Sequence, residues 1–174
     1  MDERRIILNY GLVTGLVLGA LCIAFSALTQ YCVKSTWLAA LLWFVKFAAC
    51  IWVMREMMIL LDRDYDEVRS SDTFRAGAVA AVSSAVIYAG FTLAEMLFIS
   101  PDMISDAVDT ILEQYRSMLD SNAADRLEEL TPRLPVIIFW LNLVYCSLYG
   151  ILLSTILSRM IPSPNPFSDT KEEK

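Results

Sequence analysis

Hydrophobic residues are concentrated in four long runs, separated by segments that hold most of the charged side chains. The runs cover residues 6–29, 37–61, 76–99 and 136–157. Since an α-helix rises about 1.5 Å per residue, roughly 20 mostly apolar residues cross a hydrocarbon core of about 30 Å, and each run reaches that length. The pattern predicts an all-α, polytopic integral membrane protein with four transmembrane helices in one domain, residues 1–161.

The segment between the third and fourth runs, residues 101–132, has the pattern of an amphipathic helical insert. Ser100-Pro101-Asp102 is typical of a helix start, with a capping serine, a proline at the first helical position and an acid in the first turn. Hydrophobic residues then recur at three- and four-residue steps, at Ile104, Val108, Ile111, Tyr115 and Met118. We expect this helix to end near residue 121 and a second short helix to cover about residues 123–130.

The two ends of the chain carry different signals. Arg4 and Arg5 precede the first run as in a signal peptide, but the run exceeds the usual apolar length of about 7–15 residues, which favours a retained span. Residues 162–174 contain three prolines and then mostly charged residues. This composition predicts a disordered tail.

Basic residues are distributed unequally between the two sides of the predicted membrane domain. Eight lie on the side of the termini (Arg4, Arg5, Arg63, Arg69, Arg75, Arg159, Lys171, Lys174), against four on the other (Lys34, Arg116, Arg126, Arg133). Short cytoplasmic loops are enriched in Lys and Arg. We therefore expect both termini in the cytoplasm and the acidic insert 101–132 outside it.

Composition agrees with a membrane protein and argues against a nucleic-acid partner. The chain is 56% hydrophobic, its mean hydropathy is +0.51, and the stretch from Val79 to Leu93 has no charge, so it lacks the polar face of a soluble helix. Its net charge is −6, whereas nucleic acids select basic surfaces. The insert holds eight acids and two arginines. This indicates either a solvated face or a docking surface for a basic partner or divalent cations.

Side chains for catalysis or metal binding are sparse. The chain has no histidine, and its four cysteines, Cys22, Cys32, Cys50 and Cys146, form no CxxC pair. The common zinc ligand sets and the histidine base of nucleophilic catalysis are therefore missing. We expect no metal, no cofactor and no enzymatic activity, with the cysteines inside the runs acting as small hydrophobic residues and Cys32 as the one candidate reactive thiol.

The first run places small residues on one helical face. Gly11, Gly15 and Gly19 form two overlapping GxxxG patterns, which allow another helix backbone to approach closely in a membrane. We expect this face to pack against the second or fourth span of the same chain, with homodimerisation as the alternative.

Two ionisable residues lie inside predicted spans, where a charge costs about 2.5–3.5 kcal/mol on translocon scales. We expect Lys46 of the second span to face Glu95 of the third. Polar stripes on the third and fourth spans extend this into a hypothetical buried network that includes Tyr88, Thr92, Asn142 and Tyr145. The network is either an ion or proton path or a structural pair that fixes the helix register.

The layout resembles a known bacterial family. Four features support this resemblance: Asn9-Tyr10-Gly11-Leu12-Val13-Thr14-Gly15 at the start of span one, the loop from Arg63 to Arg75, Phe98-Ile99-Ser100-Pro101 at the close of span three, and the acidic insert before span four. These features are similar to those of the bacterial membrane family called domain of unknown function 4199. The resemblance covers about Arg5 to Arg159. It implies a four-span inner-membrane protein with a helical insert and no catalytic residue to carry over.

The sequence leaves two functions open. The first is a non-enzymatic accessory or scaffold component of the bacterial inner membrane, assembled with itself or with a larger membrane complex. The second is a small oligomeric transporter or channel that uses the Lys46/Glu95 network. In both cases the lipid bilayer is the immediate partner.

Overall fold

A computed structural model describes residues 3–32, 35–64, 70–100, 102–115 and 129–161. In these ranges the chain is helical and contains no β-strand, which confirms the predicted all-α class. The helices are α1 (Glu3–Cys32), α2 (Thr36–Asp64), α3 (Ser70–Ala94), α4 (Asp102–Tyr115) and α5 (Leu134–Met160). A π-helical turn (Glu95–Ile99) extends α3, and a 3₁₀ turn (Thr131–Arg133) leads into α5.

Four of these helical segments are long and apolar enough to cross a membrane, which indicates a multi-pass membrane protein. They cover Arg5–Gln30, Thr36–Asp64, Ser70–Ile99 and Thr131–Met160. Each is longer than its predicted span because polar residues continue the helix beyond the apolar run, as at Asp62–Asp64. At about 1.5 Å per residue, α2 is roughly 43 Å long and exceeds a hydrocarbon core of about 30 Å.

The helix α3 is the centre of the bundle, and α1 and α5 pack along two of its faces. Its buried positions carry small side chains, at Thr73, Ala76, Gly77, Ala80, Ala81, Ala85 and Ala89. Small residues allow backbones to approach closely, and in lipid this van der Waals contact replaces the hydrophobic driving force. The sequence of α3 therefore permits tight contact with both neighbours.

The three glycines of α1 pack against α3, and not against the second or fourth span as expected. A Cβ atom built on Gly11 would lie 2.8 Å from the Ala76 carbonyl oxygen, and one on Gly19 would lie 2.9 Å from Ile87 Cγ2. A Cβ on Gly15 would collide with the side chain of Ser83. The expectation failed because the parallel helix α3 also carries small residues four positions apart, which gives α1 a closer fit.

Hydrogen bonds join the helices at one end of the bundle, which we call the proximal end; the opposite end is the distal end. The Tyr10 hydroxyl donates to Asp64 Oδ2 at 2.8 Å, and so connects the start of α1 to the end of α2. Ser70 Oγ donates to the Ser158 carbonyl oxygen at 2.8 Å, and Ser154 Oγ donates to that of Phe74 at 3.0 Å. The helices therefore alternate in direction through the bundle.

The helix α2 is packed well only near the proximal end. There Met54, Met57, Met58 and Leu61 are buried in the core. Towards the distal end its large side chains are mostly exposed on the bundle surface, as at Trp37, which is 86% exposed. The α2 helix is thus fixed at one end and loosely packed at the other.

The amphipathic helix α4 lies against the distal end. Its described part begins at Asp102, next to the proline that the Ser-Pro-Asp run predicts as the first helical residue; Pro101 itself lies outside the described residues. Its Ile104 and Val108 are buried with Met96, and Leu134 and Ile138 of α5 pack against this cluster. The second predicted insert helix falls largely within residues 116–128, and the predicted disordered tail is residues 162–174; both lie outside the described residues.

The glycine contact predicts that Gly15→Val destabilises the bundle. The new side chain meets Ser83 and the Ala80 carbonyl oxygen, 2.8 Å from an ideal Cβ, and overpacking of this kind costs about 1–3 kcal/mol. A lower unfolding midpoint in detergent measures the effect. Gly90→Ala is the matched control, since nothing lies within 4 Å of a Cβ there. Equal midpoints for both variants would contradict the close contact.

Candidate functional site

A cavity lies where α2 separates from the other helices. Near the proximal end the methionines of α2 fill the space, but farther along α2 the facing residues are small, at Ala81, Ser84, Ala85 and Gly150. These side chains do not reach α2, and a cavity of about 160 Å³ remains between α2 and the other three long helices.

Lys46 is the charged residue of the cavity wall. It lies ten residues after the start of α2, about 15 Å along the helix, and is half-buried. Its Nζ atom lies over the ring of Tyr88, 4.6 Å from the centroid. The negative face of an aromatic ring attracts such a cation, most strongly where water is excluded. Within the described ranges Lys46 forms no ion pair with a carboxylate.

Aromatic residues of α2 and α5 close another part of the wall. The rings of Phe47 and Tyr149 are 5.0 Å apart, Trp43 stacks on Phe47 at 5.6 Å, and Tyr145 stacks on Tyr149 at 6.5 Å. Trp43 and Tyr145 also face outward, with exposures of 55% and 66%. This wall therefore lies between the cavity and the surface that lipid would cover.

Three cysteines line the same cavity. Cys22 of α1 and Cys50 of α2 have their Sγ atoms 3.8 Å apart, and Cys146 of α5 also lies in the wall. Sequence reasoning treated them as small hydrophobic residues and missed this pair. A signal was present, since Cys22 and Cys50 are equally distant from Thr36 in the sequence, and a tight antiparallel hairpin brings such residues to the same depth.

The structure brings together only part of the predicted polar network. Lys46, Tyr88 and Tyr145 share the cavity wall, whereas Glu95, Thr92 and Asn142 do not line it. Glu95 is buried in the π-helical turn beside Met96, nearer the distal end than Lys46. The Thr92 hydroxyl donates to the Tyr88 carbonyl oxygen of its own helix at 3.0 Å. Lys46 therefore has Tyr88 as its observed neighbour, and no ion pair joins it to Glu95 in the described chain.

A second cavity lies between α1 and α2 nearer the proximal end. It has about 460 Å³, and Asn9, Trp52 and Glu56 are among its lining residues. The carboxylate of Glu56 lies 3.5 Å from the guanidinium of the adjacent Arg55. The acid of this second cavity, Glu56, is thus paired with Arg55, whereas Lys46 of the first cavity contacts an aromatic ring.

The first cavity combines a few polar groups with apolar walls. It offers one ammonium group, phenolic hydroxyls and thiols among apolar walls. No three of the described Cys, Asp or Glu side chains are grouped in a way that would hold a metal ion. The arrangement suits a small apolar molecule with an oxygen that accepts a hydrogen bond.

Comparison with known proteins places most of the chain in one family. Residues 9–161 match the family model described as Protein of unknown function (DUF4199). The match covers α1 from Asn9 onward, the other three long helices and the insert, and the four apolar helices fit a four-span membrane family. Neither the curated proteins nor the solved structures contain a significant match.

The thiol geometry predicts that mild oxidation joins Cys22 to Cys50. The experiment uses a Cys32→Ser variant in membranes treated with copper phenanthroline. We expect a disulfide to form, which intact-mass spectrometry detects as the loss of two hydrogen atoms from the chain. Only a short movement of two side chains is required, because the sulfur atoms are 3.8 Å apart.

The remaining cysteine of the cavity supplies the control for this experiment. Cys22→Ser should abolish the disulfide, whereas Cys146→Ser should leave it intact. Peptide mapping that finds Cys146 paired as often as its two neighbours would show that this part of the cavity wall is arranged differently.

Proposed function

The chain belongs to the DUF4199 family, and we propose that it is a non-enzymatic accessory or scaffold component of a larger complex in the bacterial inner membrane. The observation that carries this proposal is the acidic face of α4, which we define as Asp102, Asp106, Asp109 and Glu113. All four carboxylates belong to exposed residues, and α4 has no basic residue.

The attachment of α4 supports a docking role for its acidic face. One side of the helix is held against the membrane domain through Ile104 and Val108, beside Met96. A fixed helix presents its four acids in a constant arrangement, which lowers the entropy cost of binding a partner. The complementary surface is a basic segment of another protein, because opposite charge across an interface accelerates association and orients the partner.

Charge distribution supports the orientation in this proposal. Arg63, Arg75 and Arg159 lie near the proximal end, where both termini of the described chain also lie. Loops rich in Lys and Arg remain in the cytoplasm. With the proximal end cytoplasmic, α4 lies on the other side of the membrane, and its partner is a protein with an extracytoplasmic basic segment.

Neutralising the acidic face of α4 tests the accessory role. The variant Asp102→Asn/Asp106→Asn/Asp109→Asn/Glu113→Gln should recover at least about tenfold less of a stoichiometric partner on mild-detergent purification from native membranes, a change of about 1.4 kcal/mol in binding. Ser105→Ala/Gln114→Ala is the matched control, since both residues are exposed on the same helix. Mass spectrometry of the co-purified proteins measures the loss.

One result would overturn the accessory role, and another would overturn the part assigned to the acidic face. One is a protein that purifies only as copies of itself, whether or not the acids are present. The other is a partner retained equally by the neutralised variant and by the control, which would remove the acidic face from the proposal.

The cavity beside Lys46 favours a second candidate, a small oligomeric transporter or channel for anions. Lys46 is a cation within a membrane-spanning helix, and such residues often mark ion pathways. Glu95 does not line this cavity, so this version of the hypothesis uses Lys46 alone.

Proteoliposomes that contain the protein should release chloride if this candidate is correct. Lys46→Met should reduce the rate of release at least about tenfold, because it removes a cation that lowers the barrier to the anion by about 1.4 kcal/mol. Flux that survives Lys46→Met would remove this candidate.

A further inference from the structure

The cavity beside Lys46 has the size of a single ring. Its volume is about 160 Å³, and an apolar protein cavity of roughly 150 Å³ accommodates a benzene molecule. Its walls are largely apolar and aromatic, as in most small-molecule sites, with few polar groups to orient a ligand. The space therefore suits a ring or a short apolar segment.

The charge of the cavity determines which polar group the ligand should carry. Lys46 contributes the positive charge, Tyr88 covers it on one side at 4.6 Å, and none of the described residues that line the wall is acidic. A cation in a membrane interior is stabilised by a counter-charge or by hydrogen-bond acceptors. An anionic group on the ligand would supply both, with the ammonium donating to its oxygen.

The position of the cavity indicates that the ligand arrives from the lipid. Trp43 and Tyr145 belong to the cavity wall and are also exposed on the bundle surface between α2 and α5. The α2 helix is loosely packed in this region, whereas its methionines are buried near the proximal end. A ligand that enters between these aromatic rings must itself be soluble in lipid.

We propose that this cavity binds a lipophilic carboxylate, an apolar ring or chain whose single carboxylate accepts hydrogen bonds from the Lys46 ammonium. The apolar part lies among Phe47, Tyr88 and Tyr149, and any longer tail extends past Trp43 into the lipid. Two sources share this chemistry, an aromatic acid and a fatty acid. The site goes beyond the accessory role, since neither a partner protein nor transport is needed for binding.

Fluorescence of Trp43 reports on the cavity, because this side chain lies in its wall. Trp37→Phe, Trp52→Phe and Trp140→Phe leave Trp43 as the single tryptophan of the chain. Bromine quenches tryptophan at short range, so the probes are 4-bromobenzoate for the ring acid and 11-bromoundecanoate for the fatty acid. Titrations of the full chain in uncharged detergent should give saturable quenching with at least one probe.

Two variants on the same helix separate charge recognition from simple partition into the cavity. Lys46→Met removes the ammonium and keeps a side chain of similar length, and it should raise the half-saturating concentration at least about tenfold, or about 1.4 kcal/mol in binding. Arg55→Met removes a cation that does not line the cavity and should change nothing. Oxidative joining of Cys22 to Cys50 in each variant shows that the helices remain in place.

Each outcome of the titrations decides the proposal. Saturation by 4-bromobenzoate alone identifies a ring acid, and saturation by 11-bromoundecanoate alone identifies a fatty acid; either supports the site when Lys46→Met weakens it. Equal half-saturation in Lys46→Met and Arg55→Met, or quenching by the methyl esters that matches the acids, would show partition without recognition. These results, or the absence of saturable quenching by both acids, would overturn the proposal.

Discussion

The close approach of α1 and α5 to α3 is the contact on which the rest of the bundle depends. Lipid chains are as apolar as leucine, so these helices gain little hydrophobic free energy by leaving lipid for one another. Their association relies on van der Waals contact, which weakens within a fraction of an ångström of extra separation. The small side chains at Gly11, Gly15, Gly77 and Ala81 let the helices approach closely enough for this contact. Serine hydroxyls that donate hydrogen bonds to backbone carbonyls of the neighbouring helix add to the attraction.

The packing of α2 follows from the same constraint. This helix is rich in large side chains and has no glycine, so it does not make a backbone contact of the α1–α3 kind. It is held near the proximal end by methionines, whose flexible side chains fill irregular space. Beyond them the small residues of α3 that serve α1 and α5 are too short to reach α2. The cavity beside Lys46 is thus a by-product of how the other three helices pack.

The sequence predicts the four spans and the start of α4, because apolar run length and a Ser-Pro-Asp cap depend on neighbouring residues alone. It does not predict the partner of Gly15, since the glycine pattern shows that a close neighbour exists without showing which helix supplies it. Pairing Lys46 with Glu95 followed from charge alone, but their positions along α2 and α3 differ in depth. The Lys46 ammonium lies instead over the ring of Tyr88. A cation–π contact of this kind involves only one charged residue, so the pattern of charges in the sequence does not predict it.

The α2 helix is packed into the core near its proximal end only, so a small tilt of this helix would not displace its two ends equally. Met58, Leu61 and the hydrogen bond from Tyr10 to Asp64 hold the proximal end, while the segment around Trp43 is held by ring contacts such as that of Phe47 with Tyr149. A slight tilt of α2 about its proximal end would move the buried methionines little and the segment around Trp43 by a much larger distance. The width of the space beside Lys46 therefore depends on the tilt of α2.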